Sequence, residues 1–287
     1  MTASSVRRRL IGAALRRCRE DAGYTLDEPA RLLECDRSKV SRIETGVRGI
    51  RPKELRELLE DYGVPAEERE TLVTLARQQD RKGWWHEYAH ILPAGSGEHI
   101  ILESAASELM IYETQLVPDL LQTPAYAQAV AEHNPALHSD TERADAMHVL
   151  AGRQASVIDR RHQLTVVISE AALHQHVGGP AVMHDQLAQL ASYAGEDPGI
   201  MLRVQPFSAG AHAASGSPSH TIMQFPHAPG LGVVSVQALS TGVYLDKPED
   251  VARYLTMFAM LATSALSPAA SAQLIAQIAE GGASSDH

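Results

Sequence analysis

Apolar side chains recur at helical spacing through the first quarter of the chain. Ile11, Leu15, Cys18 and Ala22 lie 4, 3 and 4 residues apart, which predicts a helix over 6–22 closed by Gly23. Thr25 is placed to cap a second, short helix with Ala30 and Leu33 inward, and Pro29 falls in its first turn, where a missing N–H does no harm. A tight turn at Glu34-Cys35 leads to a third helix over 37–45, with Asp36 as N-cap, Val40 and Ile43 on its apolar side and Gly46 at its end. Pro52 suits the first position of a fourth helix carrying Leu55, Leu58, Leu59 and Tyr62, and a fifth spans 66–78. The second and third helices together read as a helix-turn-helix.

Beyond residue 100 the pattern changes. Helical segments flank Pro118 and Pro124, with Thr123 as a cap, and a polar helix follows over 143–161. Short β-branched or alternating runs at 164–170, 199–205, 221–225 and 232–236, with a last one ending at Tyr244-Leu-Asp246, predict strands. A helix lies over 181–194 between the first two, and two more close the chain at 248–261 and 268–279. The expected fold is an all-α five-helix head over 6–78 and a linker over 79–99. An α+β domain with a small, mostly antiparallel sheet follows over 100–280, and then a disordered tail over 281–287. Trp84 and Trp85 in the linker are expected to pack at the domain junction.

The net charge of -10 is unevenly spread. Residues 1–53 hold 13 Lys and Arg against 7 Asp and Glu, a net of +6, which leaves -16 on the remainder. A basic head on an acidic body is the asymmetry expected when one domain meets a polyanion. The third helix sharpens this: opposite Val40 and Ile43 lie Arg37, Ser38, Lys39, Ser41 and Arg42, residue types that hydrogen-bond base edges or neutralise phosphates. Arg48 and Arg51 follow in a basic loop. Two cysteines, Cys18 and Cys35, make no disulfide framework. The apolar run after Arg7-Arg-Arg9 is only six residues long, too short for an export signal, and no later run could span a bilayer. A soluble cytoplasmic protein is expected.

These residues carry a resemblance. Residues 6–78 resemble the Xre-type helix-turn-helix domain of phage repressors and Cro. The resemblance implies base reading by Arg37, Ser38 and Arg42, with Lys39 and Ser41 beside them, and a phosphate contact at Thr25. It also implies a partly buried Arg19–Glu44 pair tying the first helix to the end of the third. Glu34 stands where many members have a glycine of positive φ. Residues 84–275 resemble the antitoxin-like domain that follows such heads in actinobacterial regulators. That match rests on Tyr112-Glu113, Leu116-Val-Pro118, Leu120-Leu-Gln-Thr-Pro124, Arg153-Gln154, Glu170-Ala-Ala-Leu173, Gly178-Gly179, Gln205-Pro-Phe207, Gly210-Ala-His212 and Tyr244-Leu-Asp246. Asp119 replaces a usual glycine.

Other chemistry is weaker. His174, His176 and His184 lack partners at recurrent ligand spacing, so neither a metal nor another cofactor is expected. No Gly-x-Ser-x-Gly elbow or phosphate loop is present, so an enzyme is not expected. Tyr112, Gln115, Gln122, Glu170, Gln205, Phe207 and His212 are candidates for enclosing a small ligand or gripping a partner, or for covering the sheet. The expected function is a sequence-specific DNA-binding transcription regulator, a homodimer on a palindromic double-stranded operator, whose body senses a small molecule or a small partner protein. The alternative is an antitoxin-type protein-binding module with autoregulatory DNA binding.

Overall fold

The computed structural model describes residues 5–77, 83–158, 162–196, 198–228, 230–238 and 241–282. The N-terminal region is helical: α1 (Val6–Asp21), α2 (Asp27–Leu32), α3 (Arg37–Glu44), α4 (Pro52–Asp61) and α5 (Ala66–Arg77). Local chemistry sets several of their ends. Asp36 caps α3 by accepting the Lys39 N–H at 3.0 Å, and Pro52 opens α4. Thr25 Oγ1 accepts the Asp27 N–H while Glu28 reaches back to the Thr25 N–H, a reciprocal cap. Glu34 takes the positive φ, +47°, that the turn between α2 and α3 imposes. A side chain there costs about 1–2 kcal/mol relative to glycine.

The body contains α6 (Ser96–Ala105), β1 (Glu108–Glu113), α7 (Pro124–Glu132), α8 (Asp140–Val157), β2 (Gln163–Ser169), α9 (Glu170–Leu173), α10 (Pro180–Glu196) and β3 (Ile200–Gln205). It continues with β4 (His220–Gln224), β5 (Gly232–Gln237), β6 (Gly242–Leu245), α11 (Pro248–Ser264) and α12 (Pro268–Gly282). Thr123 caps α7 with Pro124 at its first position, as its sequence suggests. The sheet corrects the expectation of a small, mostly antiparallel one. It has six strands in the order β3-β2-β1-β4-β5-β6, parallel across β3, β2 and β1 and antiparallel from β1 to β6. The physical reason is β1. Its run Glu108-Leu-Met-Ile-Tyr-Glu113 is too short and too continuously apolar to show a period of two, because a central strand is covered on both faces. The helical crossovers between β1, β2 and β3 then require parallel pairing.

Alternate residues of the central strands feed two cores. Leu109, Ile111, Val166, Leu202 and Met223 join one apolar cluster that runs without a break into α1, α4 and α5 of the head. Tyr112, Val167, Ile222 and Val234 face the other way, against Phe258 and Leu261 of α11. Polar ties reinforce the junction of head and body: Arg7 N–H to Glu98 at 2.7 Å, Arg9 to Asp246 at 2.6 Å and the Thr71 hydroxyl to the Pro226 carbonyl at 2.9 Å. Of the expected linker, residues 79–82 lie outside the described residues. Trp84–Tyr88 forms a short 3-10 helix in which Trp84 lies on Gly152 and Trp85 on Gly97. Of the expected tail, 281 and 282 belong to α12, and 283–287 lie outside the described residues. Among the described residues no single helix is long and apolar enough to cross a membrane.

Within the head, α1 and α3 touch backbone to backbone. A Cβ added at Gly12 would stand 2.5 Å from the Ile43 carbonyl oxygen and 2.6 Å from that of Glu44. Gly12→Ala is therefore expected to lower unfolding stability by about 1–3 kcal/mol. Gly195→Ala, at an exposed helical position where a Cβ meets nothing within 4 Å, should raise it by about 0.5–1 kcal/mol. Urea titration of both variants checks this. Burial pushes the Glu113 carboxyl up to about 7, with Ser219 hydrogen bonding opposing the shift and the Asp119 charge adding to it. The folded state thus holds this proton more tightly than the unfolded chain, so stability is lost as pH rises from about 4.3 towards 7. Glu113→Gln should stabilise the protein at pH 8, on the order of 2–3 kcal/mol, and by much less near pH 5. Urea midpoints at the two pH values measure the difference.

Candidate nucleic-acid interface

The outer face of α3 is an exposed polar surface. The Arg37 side chain is 64% exposed and rests on Asp27 at 3.1 Å, a surface pair that contributes little and opens easily. Arg42 folds back on α3, its Nε and Nη2 donating to the Ser38 carbonyl (3.1 Å) and hydroxyl (2.9 Å). Ser38 in turn donates to the capping Asp36. Arg48 and Arg51 are exposed in the loop after α3, where the Arg48 N–H donates to the Arg42 carbonyl. Thr25 is exposed at the start of α2, with its hydroxyl donating to Glu28 at 2.7 Å.

Two residues depart from the outward-facing reading. Lys39 is only 17% exposed and its ammonium lies 2.8 Å from Glu54, so it ties α3 to α4. Ser41 is half-buried. The periodicity could have shown this for Lys39, which precedes Val40 on the flank of the apolar stripe. Sequence reasoning also passed over Arg31, exposed on α2 and beside Arg37 in the groove between α2 and α3, and Val47, 64% exposed just past Gly46.

Behind this face, Arg19 and Glu44 meet in a buried fork. Arg19 Nε and Nη2 donate to the two Glu44 oxygens at 2.7 and 3.0 Å, and Nη1 donates to the Tyr24 carbonyl at 2.7 Å. With Gly12, and with Gly46 at φ +70° against the Arg9 backbone, this pair holds α3 at one height on α1.

The candidate body residues are dispersed. Tyr112 and His212 rings lie 6.0 Å apart beside His220 and Tyr254. Burial lowers the His220 pKa, opposed by its hydrogen bond to the Pro218 carbonyl. Gln122 is buried and donates to the Val117 carbonyl at 2.8 Å, whereas Gln115 is exposed on the loop. Glu170 accepts the Phe207 N–H at 2.6 Å, and Phe207 stacks on His174. Gln205 is buried, accepting from Ser264 at 3.2 Å. Gln122 and the Gln205 carbonyl thus tie backbone and helix, whereas Gln205 Nε2 is buried without a hydrogen-bond partner among the described residues. His174, His176 and His184 rim an open groove of about 800 Å³ between α10 and α12, floored by Leu173, Met183, Leu187, Leu274 and Ile278. Among the described residues no group of three His, Cys, Asp or Glu is placed to hold a metal.

A denser polar cluster lies between α6 and α8. Glu103, 2% exposed, accepts Arg153 Nε and Nη2 at 2.9 and 2.8 Å, and Arg153 Nη1 donates to Asp119 at 2.9 Å. His99 sits 3.3 Å from Glu103 through Nε2 and 3.1 Å from the Ser235 hydroxyl through Nδ1. Burial alone would raise the Glu103 pKa, but the Arg153 charge and hydrogen bonds, with His99, hold it far below the usual carboxylate range. His99 and Arg153 line a cavity of about 360 Å³ with Ile91, Leu92, Ile100 and Val149. Its sequence signals are the i, i+4 spacing of His99 and Glu103 and the Arg153-Gln154 pair that carries part of the resemblance.

Two families match this architecture. Residues 10–72 match a helix-turn-helix domain, and residues 97–277 match a domain of unknown function, DUF5753. No curated protein and no solved structure matches the chain. The second match alone spans more than half of the chain, which belongs to the DUF5753 family and carries a helix-turn-helix domain of the DNA-binding kind at its head.

Proposed function

We propose that the protein is a sequence-specific transcription regulator of the Xre type, which lays α3 in the major groove of an operator. The observation that carries this reading is the exposed row Arg37, Ser38 and Arg42 on a helix whose opposite side is locked to α1 by the Arg19–Glu44 fork. Arg37 and Arg42 need give up only exposed contacts to reach base edges, and Arg is the side chain that forks onto guanine. Arg48, Arg51 and Thr25 flank the row as phosphate contacts. One helix of this length reads only a few base pairs. A homodimer on two half-sites about 34 Å apart supplies the missing specificity. The body then carries the signal, from a small molecule or a partner protein.

A second reading, an antitoxin-type module that holds a small protein, is supported by the open apolar groove between α10 and α12. It predicts a small protein, encoded nearby, that binds in a defined ratio and is lost on Ile278→Asp, with DNA binding retained.

The regulator reading is tested by titrating the protein against the DNA upstream of its own coding region and against random duplex. Arg37→Ala and Arg42→Ala should each cost about 1–3 kcal/mol and relax preference at one position. Arg48→Ala should weaken all sequences evenly and reduce the salt slope by about one. Lys39→Ala should leave base preference unchanged while lowering the unfolding midpoint, because its ammonium faces Glu54. Equal affinity for operator and random duplex would refute specific reading.

A further inference from the structure

The cavity between α6 and α8 differs from the α10–α12 groove in having buried, oriented polar groups in its wall. Arg153 makes three hydrogen bonds, to Glu103 and Asp119, out of the five N–H groups a guanidinium carries. It lines the cavity beside the imidazole of His99, with Asp119, Asn134 and Gln237 also in the wall and Ile91, Leu92, Ile100 and Val149 forming its apolar part. At about 360 Å³ the space is within the range of small-ligand sites, although at its lower end.

Charge narrows the class of occupant. Two carboxylates, Glu103 and Asp119, flank one guanidinium, so an anion entering next to Arg153 finds its positive charge already matched. A cation meets the guanidinium itself, whose two carboxylates are engaged. An uncharged carbonyl oxygen accepts the remaining Arg153 donors and loses little on leaving water.

The same helix that walls the cavity also holds the head. On α6, Ser96, His99, Ile100 and Glu103 follow the i, i+3, i+4, i+7 spacing of one face, and Glu98 lies opposite, accepting the Arg7 N–H at the start of α1. The Gly95 carbonyl, one residue before α6, accepts from Tyr244, and Asp246 two residues further on binds Arg9 of α1. A shift of α6 thus moves both polar ties between the body and α1. We propose that this cavity is an effector site for an uncharged amphipathic small molecule with a carbonyl acceptor, and that α6 transmits its occupancy to the head. The coupling rests on the regulator reading; the binding does not.

Both tryptophans report on the walls, Trp85 against Gly97 of α6 and Trp84 against Gly152 of α8. The test titrates the full-length protein with hexanamide, hexanoate and hexylamine, which share a six-carbon body and differ in the charge of the head, and follows tryptophan emission. Hexanamide should give a saturable change, with both charged probes at least about tenfold weaker. Ala146→Leu, which fills the cavity from α8, should abolish the response; Ala146→Val is the milder variant if the first fails to fold. Equal responses to all three probes, an unchanged response in the filled variants, or no saturation with hexanamide would overturn the site. Saturating hexanamide should also change operator affinity in the wild type and not in the filled variant. Binding without that change overturns the coupling alone, and absence of any operator binding overturns the regulator reading while the tryptophan titration still decides the cavity.

Discussion

The close contact of α1 with the end of α3 is the constraint from which the head's geometry follows. Gly12 places the helix backbones within reach of the Ile43 and Glu44 carbonyls, and the Arg19–Glu44 fork then sets register along the contact. A longer side chain at Gly12 would tilt α3, and loss of one fork partner would leave a buried charge without compensation, which is far worse than losing an exposed pair. Because α1 also packs on α5 and carries Arg7 and Arg9 to the body, the helix on which α3 rests is itself tied to the body.

This arrangement changes what the basic N-terminal charge means. The excess of +6 over residues 1–53 suggests a broad cationic footprint. In the folded protein Arg19 and Lys39 turn inward, Arg9 goes to Asp246 and Arg17 to Glu68. The cations left on the α2–α3 side are Arg31, Arg37, Arg42, Arg48 and Arg51, a narrower set. Net charge marked the right domain, while side-chain direction decided which of its arginines face outward.

Legibility followed the range of the interactions. Asp36, Thr123 and Pro52 act within one turn of their own helix, so their roles could be read directly. Even Glu34 fits this pattern: a turn held by the Cys35 N–H on the Ala30 carbonyl requires positive φ whichever residue occupies it. Strand β1 was hidden because its covering comes from β2, β4 and both apolar layers, all distant in sequence. The candidate ligand residues of the body are hard to read for a related reason. The Gln122 amide donates to nearby backbone and the Gln205 carbonyl accepts from a neighbouring helix, uses that sequence cannot distinguish from ligand binding.

The His99–Glu103–Arg153 network is hard to read from sequence because Glu103 meets Arg153 across 50 residues of chain and His99 meets Ser235 across 136. Its energetics also bear on its role. Ion pairs taken this far out of water recover in mutual attraction roughly what they lose in hydration, so an apolar replacement of equal volume would hold α6 to α8 about as well. What an apolar replacement could not do is orient a guanidinium towards an open space or fix an imidazole between Ser235 and Glu103. The network's distinctive product is fixed orientation of two polar groups in the cavity wall. Since α6 contributes His99 and Glu103 on one side and Glu98 to the head on the other, any change in how that cavity is filled reaches α1 through a single rigid element.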